Sequence, residues 1–400
     1  VTGDVELEPC DGAHGAHVRR SALVLQALTY QPTGAIVAAP TTSLPEHVGG
    51  SRNWDYRFAW IRDASMTLTA LWVAACPDEA DRFLAWMVDT VGGNRWRSGG
   101  LQIMYGVGGE HDLSERDLGH LRGWRDSVPV RVGNGAWSQR QIDVLGELLD
   151  AVHRLVDQLG DFDDQTAAFL ADVADEAAEI WVQPDQGIWE VRGEPQHFLY
   201  SKLMCWVALD RAIRMADRLR VPPDRVAGWE ASRDEIRSAI LEQGYDEQLG
   251  AFTQAFGSQA LDASVLMLPI TGFLPAGDPR MRSTVERVAT DLAAPGGLLY
   301  RYRGEDGLEG DEAPFLLCTY WLVQCLAMAG DIDRARALFE RATACANDLG
   351  LLAEETDPDT GELLGNFPQA LSHVGLVNAA WAVASHERGE EGAAATDRRL

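Results

Sequence analysis

The feature that most constrains this chain is the spacing of its apolar residues, which recur three and four positions apart along most of the sequence. This spacing is typical of helices that bury one face, and the abundance of Ala and Leu, two strong helix formers, supports it. The pattern predicts about a dozen helices, each amphipathic or almost wholly apolar. The predicted ranges are residues 17–28, 62–75, 79–91, 138–158, 163–182, 200–219, 226–241, 260–268, 281–292, 313–329, 332–349 and 369–385.

The connections between the predicted helices are of two alternating kinds. The short ones lie at residues 76–78, 160–161 and 330–331. The long ones are rich in Gly, Trp, Arg and carboxylates, and lie at residues 31–61, 92–137, 183–199, 243–259, 295–312 and 351–368. Helical hairpins joined in this way either stack as an open solenoid or close into a ring, and the absence of a strict repeat period weakens the solenoid. A closed double ring gathers all long loops at one end, where they can form one pocket.

Charge narrows the range of partners. The chain carries 34 basic and 61 acidic residues, a net charge of −27. Nucleic acid and anionic membranes are polyanions that such a chain repels, so we expect neither as a partner and favour a neutral polar substrate. No apolar stretch approaches the roughly 18 residues of a membrane-spanning helix, and no secretory leader is visible at the start, so we expect a cytoplasmic protein.

The six cysteines form no pair with the CxxC spacing of metal and redox sites. Four of them lie in apolar helical segments and two, Cys10 and Cys76, lie outside such segments. We therefore expect buried free thiols, without a disulfide framework or a zinc site. The four helical cysteines are Cys205, Cys318, Cys325 and Cys345.

One loop concentrates aromatic and charged residues. Two Trp, one Tyr, two Arg and two Asp fall within the eleven residues 53–63. A capped helix N-terminus would account for Asp63, but not for Trp54, Tyr56 and Trp60 together. Aromatic rings provide an apolar platform for the face of a pyranose, while Arg and Asp hold its hydroxyl groups. This loop is therefore a candidate sugar-binding segment.

Two further loops each offer a carboxylate beside apolar residues. Glu190 follows Trp189; if that indole shields it from water, its pKa rises and it can act as a general acid. The alternative is a surface glutamate on a turn. Glu354 follows an apolar approach and could act as a general base, with Glu355 or Gln369 as polar support. Two carboxylates on separate aromatic loops suit glycoside cleavage, in which one protonates the leaving oxygen and the other activates water.

Over residues 19–383 the sequence resembles glycoside hydrolase family 15, the glucoamylase-type inverting glucosidases. The resemblance implies an all-α (α/α)6 barrel, in agreement with the predicted helices. It also implies roles for Glu190 as general acid, Glu354 as general base and Tyr56 as the residue that positions the catalytic water. The motifs that carry the resemblance lie at residues 40–46, 52–63, 102–106, 129–135, 187–197 and 365–369.

The same resemblance implies a set of substrate-binding residues. Glu355 stands where fungal members carry glutamine, so an extra carboxylate beside the base could change the pH profile. No metal or cofactor is implied. The implied substrate-binding residues are Trp60, Arg62, Asp63, Trp189, Arg301, Tyr302 and Glu355.

The domain boundaries follow from the same comparison. Residues 1–15 are expected to be an N-terminal extension, 16–387 the catalytic barrel and 388–400 a flexible tail. The resemblance implies that bacterial family members usually carry a β-sandwich domain before the barrel, and we expect this chain to lack it.

Substrate is the most open question. The leading expectation is exo-acting, inverting hydrolysis that releases β-D-glucose from malto- or isomalto-oligosaccharides, so the expected partner is a small oligosaccharide or disaccharide α-glucoside. Trehalase activity is the alternative, because residues 102–112 and 187–198 resemble actinobacterial trehalases, although Leu199 and Tyr200 differ from them. Two other classes stay open: a sugar isomerase or epimerase using His197 and His373, and a non-catalytic carbohydrate-binding scaffold. Oligomeric state is left open.

Overall fold

The computed structural model describes residues 14–73, 78–91, 101–157, 159–304 and 312–387. Cys10, Cys76, most of the predicted N-terminal extension and the predicted C-terminal tail lie outside these residues. The described part is dominated by helices. They are α1 (Gly15–Ala27), α2 (Ile61–Val73), α3 (Asp78–Val91), α4 (Val144–Arg154), α5 (Asp164–Ile180), α6 (Leu199–Arg214), α7 (Ala216–Leu219), α8 (Pro223–Gln243), α9 (Met267–Ile270), α10 (Pro279–Asp291), α11 (Leu316–Met328), α12 (Ile332–Thr343) and α13 (Ala370–Glu387).

Six elements close an inner ring. Helix α2 packs against α4, α4 against α6, and α6 against a 3-10 turn (Ala263–Leu266) that leads into α9. The turn and α9 pack against α11, α11 packs against α13, and α13 returns to α2. The ring requires helices that are apolar on nearly every side, and α6 and α11 are buried along almost their whole length. This closure confirms the predicted (α/α)6 barrel.

The outer layer consists of α1, α3, α5, α8, α10 and α12, which cover the inner ring. These helices bury one side against the ring and leave the other side exposed. In α8, for example, Trp229, Ile236 and Ile240 are buried along one stripe. Aspartates begin two of them: the Asp163 side chain accepts a hydrogen bond from the Thr166 N–H, and that of Asp278 from the Arg280 N–H. Such caps satisfy backbone donors that a helix start leaves free.

The long loops carry five antiparallel two-stranded ribbons within the described residues. These loops lead into the N-terminal ends of the inner helices, so one end of the barrel collects them. The strands are β1 (Thr29–Tyr30) with β2 (Ala35–Ile36), β3 (Ala59–Trp60) with β4 (Met104–Tyr105), β5 (Arg116–Asp117) with β6 (Arg131–Val132), β7 (Tyr245–Asp246) with β8 (Ala251–Phe252), and β9 (Glu355–Thr356) with β10 (Leu363–Leu364).

Several predicted helices are wrong in extent. The helix predicted at 138–158 begins only at Val144, because the preceding residues form part of the loop end. The helix predicted at 260–268 is the 3-10 turn followed by the four-residue α9, which contains Pro269; a proline provides no N–H for a longer helix. The helix predicted at 332–349 ends at Thr343, and the Asn347 side chain then accepts the N–H groups of two following loop residues instead.

The helix predicted at 200–219 is divided between α6 and α7. Cys205, Cys318 and Cys325 are buried and Cys345 is partly buried, and all four are free thiols. In the described part of the chain, no helix combines the length and apolar character needed to span a bilayer.

Candidate active site

The loop end of the barrel contains a pocket of ≈ 730 Å³. Its wall combines tryptophans, arginines and carboxylates, the composition expected of a site for a neutral polyhydroxy ligand. Nine of the ten predicted site residues line it. They are Tyr56, Trp60, Arg62, Asp63, Trp189, Glu190, Arg301, Tyr302 and Glu354.

Glu190 occupies an unusual backbone conformation. Its φ is 59°, in the left-handed region that non-glycine residues seldom adopt and that is found repeatedly at functional sites. Two backbone hydrogen bonds hold it there: its N–H donates to the Gly187 carbonyl (3.2 Å), and its carbonyl accepts from Gln139 Nε2 (3.1 Å). The strained turn directs the carboxylate into the pocket, where the side chain is 22% exposed.

The turn before Glu190 depends on a glycine. Gly187 has φ +69°, and a Cβ added there would lie 2.7 Å from the Phe198 ring. No other residue fits this position without moving that ring. The backbone therefore folds back over Phe198, which directly precedes α6, and brings Glu190 to the N-terminal end of the inner ring.

The partners of Glu190 are one indole and one guanidinium. Trp60 Nε1 donates to Glu190 Oε1 at 2.7 Å, and the Arg62 guanidinium lies 3.7 Å from the same oxygen. Burial raises the pKa of Glu190, opposed by Arg62 and by the Trp60 hydrogen bond. The expected shielding therefore exists, but Trp60 provides the direct contact. The neighbouring Trp189 turns its N–H away, to the Asp262 carboxylate at 2.9 and 3.0 Å.

Arg62 and Asp63 form a buried ion pair in the first turn of α2. Arg62 Nε donates to Asp63 Oδ1 at 2.9 Å, and its second nitrogen donates to the Ile188 carbonyl at 2.7 Å. The arginine thus ties the start of α2 to the turn that carries Glu190. Burial raises the pKa of Asp63 against the opposing influence of Arg62. Both side chains offer polar atoms to the pocket from a rigid inner helix.

Glu354 lies at the start of the ribbon β9–β10. Its carboxylate accepts the Tyr56 hydroxyl, which is 2.9 Å from Oε2 and 3.1 Å from Oε1. Burial raises the pKa of Glu354 to about 8, with a further contribution from the nearby charge of Glu46. Tyr56 also packs edge-on against Trp60, with ring centroids 5.6 Å apart. One aromatic pair therefore bonds Glu354 through its phenol and Glu190 through its indole.

Arg301 is held in the pocket wall by Glu312. Two of its nitrogens donate to the Glu312 carboxylate, at 3.1 and 2.5 Å, and the Tyr302 hydroxyl lies 3.4 Å from the same group. The Arg301 guanidinium lies 5.0 Å from the centre of the Phe315 ring and 5.7 Å from that of Trp189. These contacts fix the predicted Arg301–Tyr302 pair at the pocket surface.

Glu355 is the predicted site residue that does not line the pocket. Successive side chains of a strand point to opposite sides, so the position after Glu354 faces the protein interior. Glu355 is 1% exposed, and its Oε1 lies 3.4 Å from Arg301. Burial raises its pKa well above the usual range. Glu355 therefore supports Arg301 from behind the pocket wall.

Sequence reasoning missed several pocket residues. Glu46 is buried beside Tyr56, and Trp54 packs with Arg131 and Arg192, whose guanidinium carbons lie 4.7 and 4.5 Å from its ring centre. Trp54 belongs to the candidate sugar-binding segment, but the sequence predicts no individual role for it. Glu46 closes the motif at residues 40–46, and its position in a motif that carries the family resemblance is the signal that could have found it.

The two histidines of the isomerase alternative lie elsewhere. His197 is exposed and stacks on Phe256. His373 is buried, bonded to Ser21 Oγ (2.9 Å) and to the Leu352 N–H (3.1 Å), and burial lowers its pKa to about 3. Neither lines the pocket, so the geometry favours the carboxylate pair over a histidine pair.

Comparison with known proteins identifies the family of the chain. The sequence profile of glycosyl hydrolases family 15 matches residues 12–381. A trehalase of Mycolicibacterium smegmatis is 48% identical over 91% of this chain and 54% of its own length, and a trehalase of Thermoplasma volcanium is 42% identical over 92% and 58%. The chain thus spans little more than half the length of these curated relatives.

Among solved structures, a bacterial glucoamylase complexed with acarbose has the same fold, with a TM-score of 0.76 at 18% identity over 98% of this chain and 58% of that chain. Because the family profile matches most of the chain and the trehalases share this much sequence identity with it, the chain belongs to glycosyl hydrolase family 15.

Proposed function

We propose that this chain is a glycoside hydrolase domain that cleaves α,α-trehalose into two glucose molecules with inversion at the attacked carbon. The observation that carries the proposal is the placement of Glu190 and Glu354 on one pocket, each bonded to a different member of the Tyr56–Trp60 pair. Trehalose is favoured over malto- and isomalto-oligosaccharides because the relatives at 48% and 42% identity are trehalases. The alternative substrate from the sequence is thus better supported than the leading one.

The proposed mechanism gives each side chain one task. Arg62 and Asp63 hold the hydroxyl groups of the glucosyl unit that is attacked, with Trp60 and Trp189 as its aromatic walls. Arg301 and Tyr302 hold more distant hydroxyl groups. These groups stand on inner-helix ends and ribbons, which keep the glycosidic bond in a fixed position between the two glutamates.

Bond cleavage then follows the scheme of inverting glycosidases. Protonated Glu190 donates its proton to the glycosidic oxygen, and its raised pKa helps it to keep that proton until then. Ionised Glu354 takes a proton from a water molecule as the water attacks the anomeric carbon from the opposite face. Tyr56, bonded to Glu354, orients that water. One C–O bond forms as the glycosidic C–O bond breaks, and two glucose molecules leave.

The proposal extends to the rest of the chain. We place the catalytic domain at residues 16–387. The ligand is a small α-glucoside. A cytoplasmic location is supported by the free state of the four described cysteines.

The test is a substrate comparison with the purified chain. Values of kcat/KM would be measured for trehalose, maltose, maltotriose and isomaltose under identical conditions. We expect trehalose to give the highest value. Efficient hydrolysis of maltose or isomaltose with no cleavage of trehalose would replace the proposal with glucoamylase-type activity, and binding without any product would favour a scaffold.

A further inference from the structure

The Tyr56 hydroxyl lies between two carboxylates. Glu354 is at 2.9 and 3.1 Å, and Glu46 Oε1 is on another side at 3.4 Å. A phenol has one proton, and the shorter distances show that it is directed to Glu354. The phenol oxygen can still accept a hydrogen bond, and a protonated Glu46 is a donor suited to give it.

The loop that carries Glu46 is hydrogen-bonded to the ribbon that follows Glu354. Its N–H donates to the Arg52 carbonyl (3.1 Å), and the carbonyl of Pro45 accepts the Gly365 N–H (2.9 Å) at the end of the β9–β10 ribbon. Gly365 has φ +83°, and a Cβ there would lie 3.4 Å from Glu354 Oε2 and 3.7 Å from Glu46 Cγ. The loop that carries Glu46 and the ribbon that carries Glu354 are thus joined beside the two carboxylates.

Both carboxylates are almost inaccessible, at 5% exposure for Glu46 and 4% for Glu354. Two like charges so placed resist joint ionisation. Burial raises the pKa of Glu46 to about 6, and that of Glu354 to about 8 with a contribution from the Glu46 charge. The other groups that face the pair are the cations Arg301 and Arg52, the acids Glu312, Glu355, Asp63 and Glu190, and the Trp54 side chain, which hydrogen-bonds Glu46.

Arg301 and Arg52 do not fully neutralise the charge of the two glutamates, because both arginines also bind another carboxylate. Arg301 donates to Glu312 at 2.5 and 3.1 Å, and Arg52 donates to the same carboxylate at 3.0 Å. One acid thus engages both arginines.

We propose that Glu46 is a positioning residue for the base: it shares one proton with Glu354 across the Tyr56 hydroxyl and so sets the pH at which Glu354 becomes able to accept a proton from water. The inference rests on the proposed role of Glu354. When the shared proton is on Glu46, that group donates to the phenol oxygen, and the phenol proton points at ionised Glu354. When Glu46 is ionised, its charge keeps a proton on Glu354.

Two substitutions separate charge from hydrogen bonding. Glu46→Gln removes the charge but keeps an amide N–H that can donate to the Tyr56 oxygen, whereas Glu46→Ala removes both. In both variants we expect the acidic limb of kcat/KM against pH to move down by about one pH unit, because the like charge is gone. We expect kcat to fall more in Glu46→Ala than in Glu46→Gln.

The matched control is Glu147→Gln. Glu147 is also a buried glutamate bonded to a tyrosine hydroxyl, that of Tyr200, but it lies within the barrel on α4. In Glu147→Gln we expect the acidic limb of kcat/KM against pH to lie where it does in the wild type. The assay uses trehalose or, if trehalose is not cleaved, whichever α-glucoside the wild type hydrolyses. An acidic limb that is unchanged in Glu46→Gln would overturn the proposal.

A second measurement does not depend on turnover. With glutamate labelled with 13C at the side-chain carboxyl, the Glu354 signal is assigned by its loss in Glu354→Gln, and its titration is followed by NMR. We expect a lower midpoint in Glu46→Gln than in the wild type, and an equal midpoint would overturn the proposal. If the midpoint falls but no α-glucoside is hydrolysed, the proton sharing stands and the proposed function fails.

Discussion

The two sides of the pocket hold their glutamates in opposite electrostatic settings. On the Glu190 side, one carboxylate faces a cation, Arg62 at 3.7 Å, and accepts an indole N–H. On the Glu354 side, two carboxylates flank one phenol, and Arg301, a cation that acts on both of them, is engaged by Glu312. Two residues of the same type thus differ in whether the neighbouring charge favours or opposes ionisation.

These opposite surroundings explain how two glutamates in one pocket can have different roles. Burial raises both pKa values. Removing the neighbour, however, has opposite effects: loss of Arg62 raises the Glu190 pKa further, while loss of Glu46 lowers that of Glu354. Environments that act differently on two carboxylates are how acid and base roles are separated in hydrolases.

The largest expected effect comes from removing either carboxylate. Glu190→Gln and Glu354→Gln should each lower kcat by roughly 100- to 10,000-fold, since each removes one proton transfer. Initial rates of glucose release would measure this, with thermal unfolding as the control for folding. Near-normal turnover in either variant would remove that residue from its proposed role.

The next effect is expected at the aromatic link between the two sides. Tyr56→Phe deletes the hydroxyl that bonds Glu354 but keeps the ring contact with Trp60. A hydrogen bond to a charged group contributes about 1.5–3 kcal/mol, so kcat should fall roughly 10- to 100-fold. Steady-state kinetics would show whether the loss falls on kcat. A change confined to KM would mean that Tyr56 binds substrate and does not support the base.

Two glycines provide a matched test of backbone strain on the two sides. Both have positive φ, which costs an L-residue about 1–2 kcal/mol. At Gly187 a Cβ would also press on the Phe198 ring at 2.7 Å, whereas at Gly365 its nearest contacts are at 3.4 Å. Gly187→Ala should therefore lower the free energy of unfolding by about 2–5 kcal/mol and Gly365→Ala by about 1–2 kcal/mol. Denaturant titration would measure both, and equal losses would contradict the contact geometry.

The last expected effect is the dependence of stability on pH. The folded-state pKa of Glu354, at about 8, lies above its ordinary value of 4.5, so the folded state binds the proton more tightly than the unfolded state. The stability from this group is fully present below pH 4.5 and is lost as pH rises toward 8. Between pH 5 and 8, Glu354→Gln should thus lose less stability than the wild type. Parallel losses in thermal unfolding midpoints would show that Glu354 is not so perturbed.

The sequence predicted the fold through periodicity, which depends only on local spacing. A closed ring was favoured over an open solenoid because the sequence has no strict repeat period. The short fourth element of the ring, the 3-10 turn with α9, could not be predicted from spacing, since Pro269 interrupts an otherwise helical apolar pattern. The residues before Val144 have a helical pattern, but one of their side chains is used by the site: Gln139 Nε2 donates to the Glu190 carbonyl.

The candidate site was predicted where aromatic and charged residues are neighbours in sequence. The contact between Tyr56 and Glu354, which are 298 positions apart, could not be predicted from spacing, because the sequence does not record which loops meet. The resemblance implies Glu355 as a substrate-binding residue, but the alternation of a strand turns it inward. The side chain that bonds Glu190 is Trp60, which is 130 positions away, rather than the adjacent Trp189.

The most direct test of the inverting mechanism is anomer-resolved proton NMR of trehalose during its first turnovers by the purified chain. Inversion by Glu190 and Glu354 acting from opposite faces changes the configuration of the attacked glucose only. The other glucose keeps its α configuration. We therefore expect equal early signals of α- and β-glucose. Early release of α-glucose alone would show retention and would contradict the assignment of an acid on one side of the pocket and a water-activating base on the other.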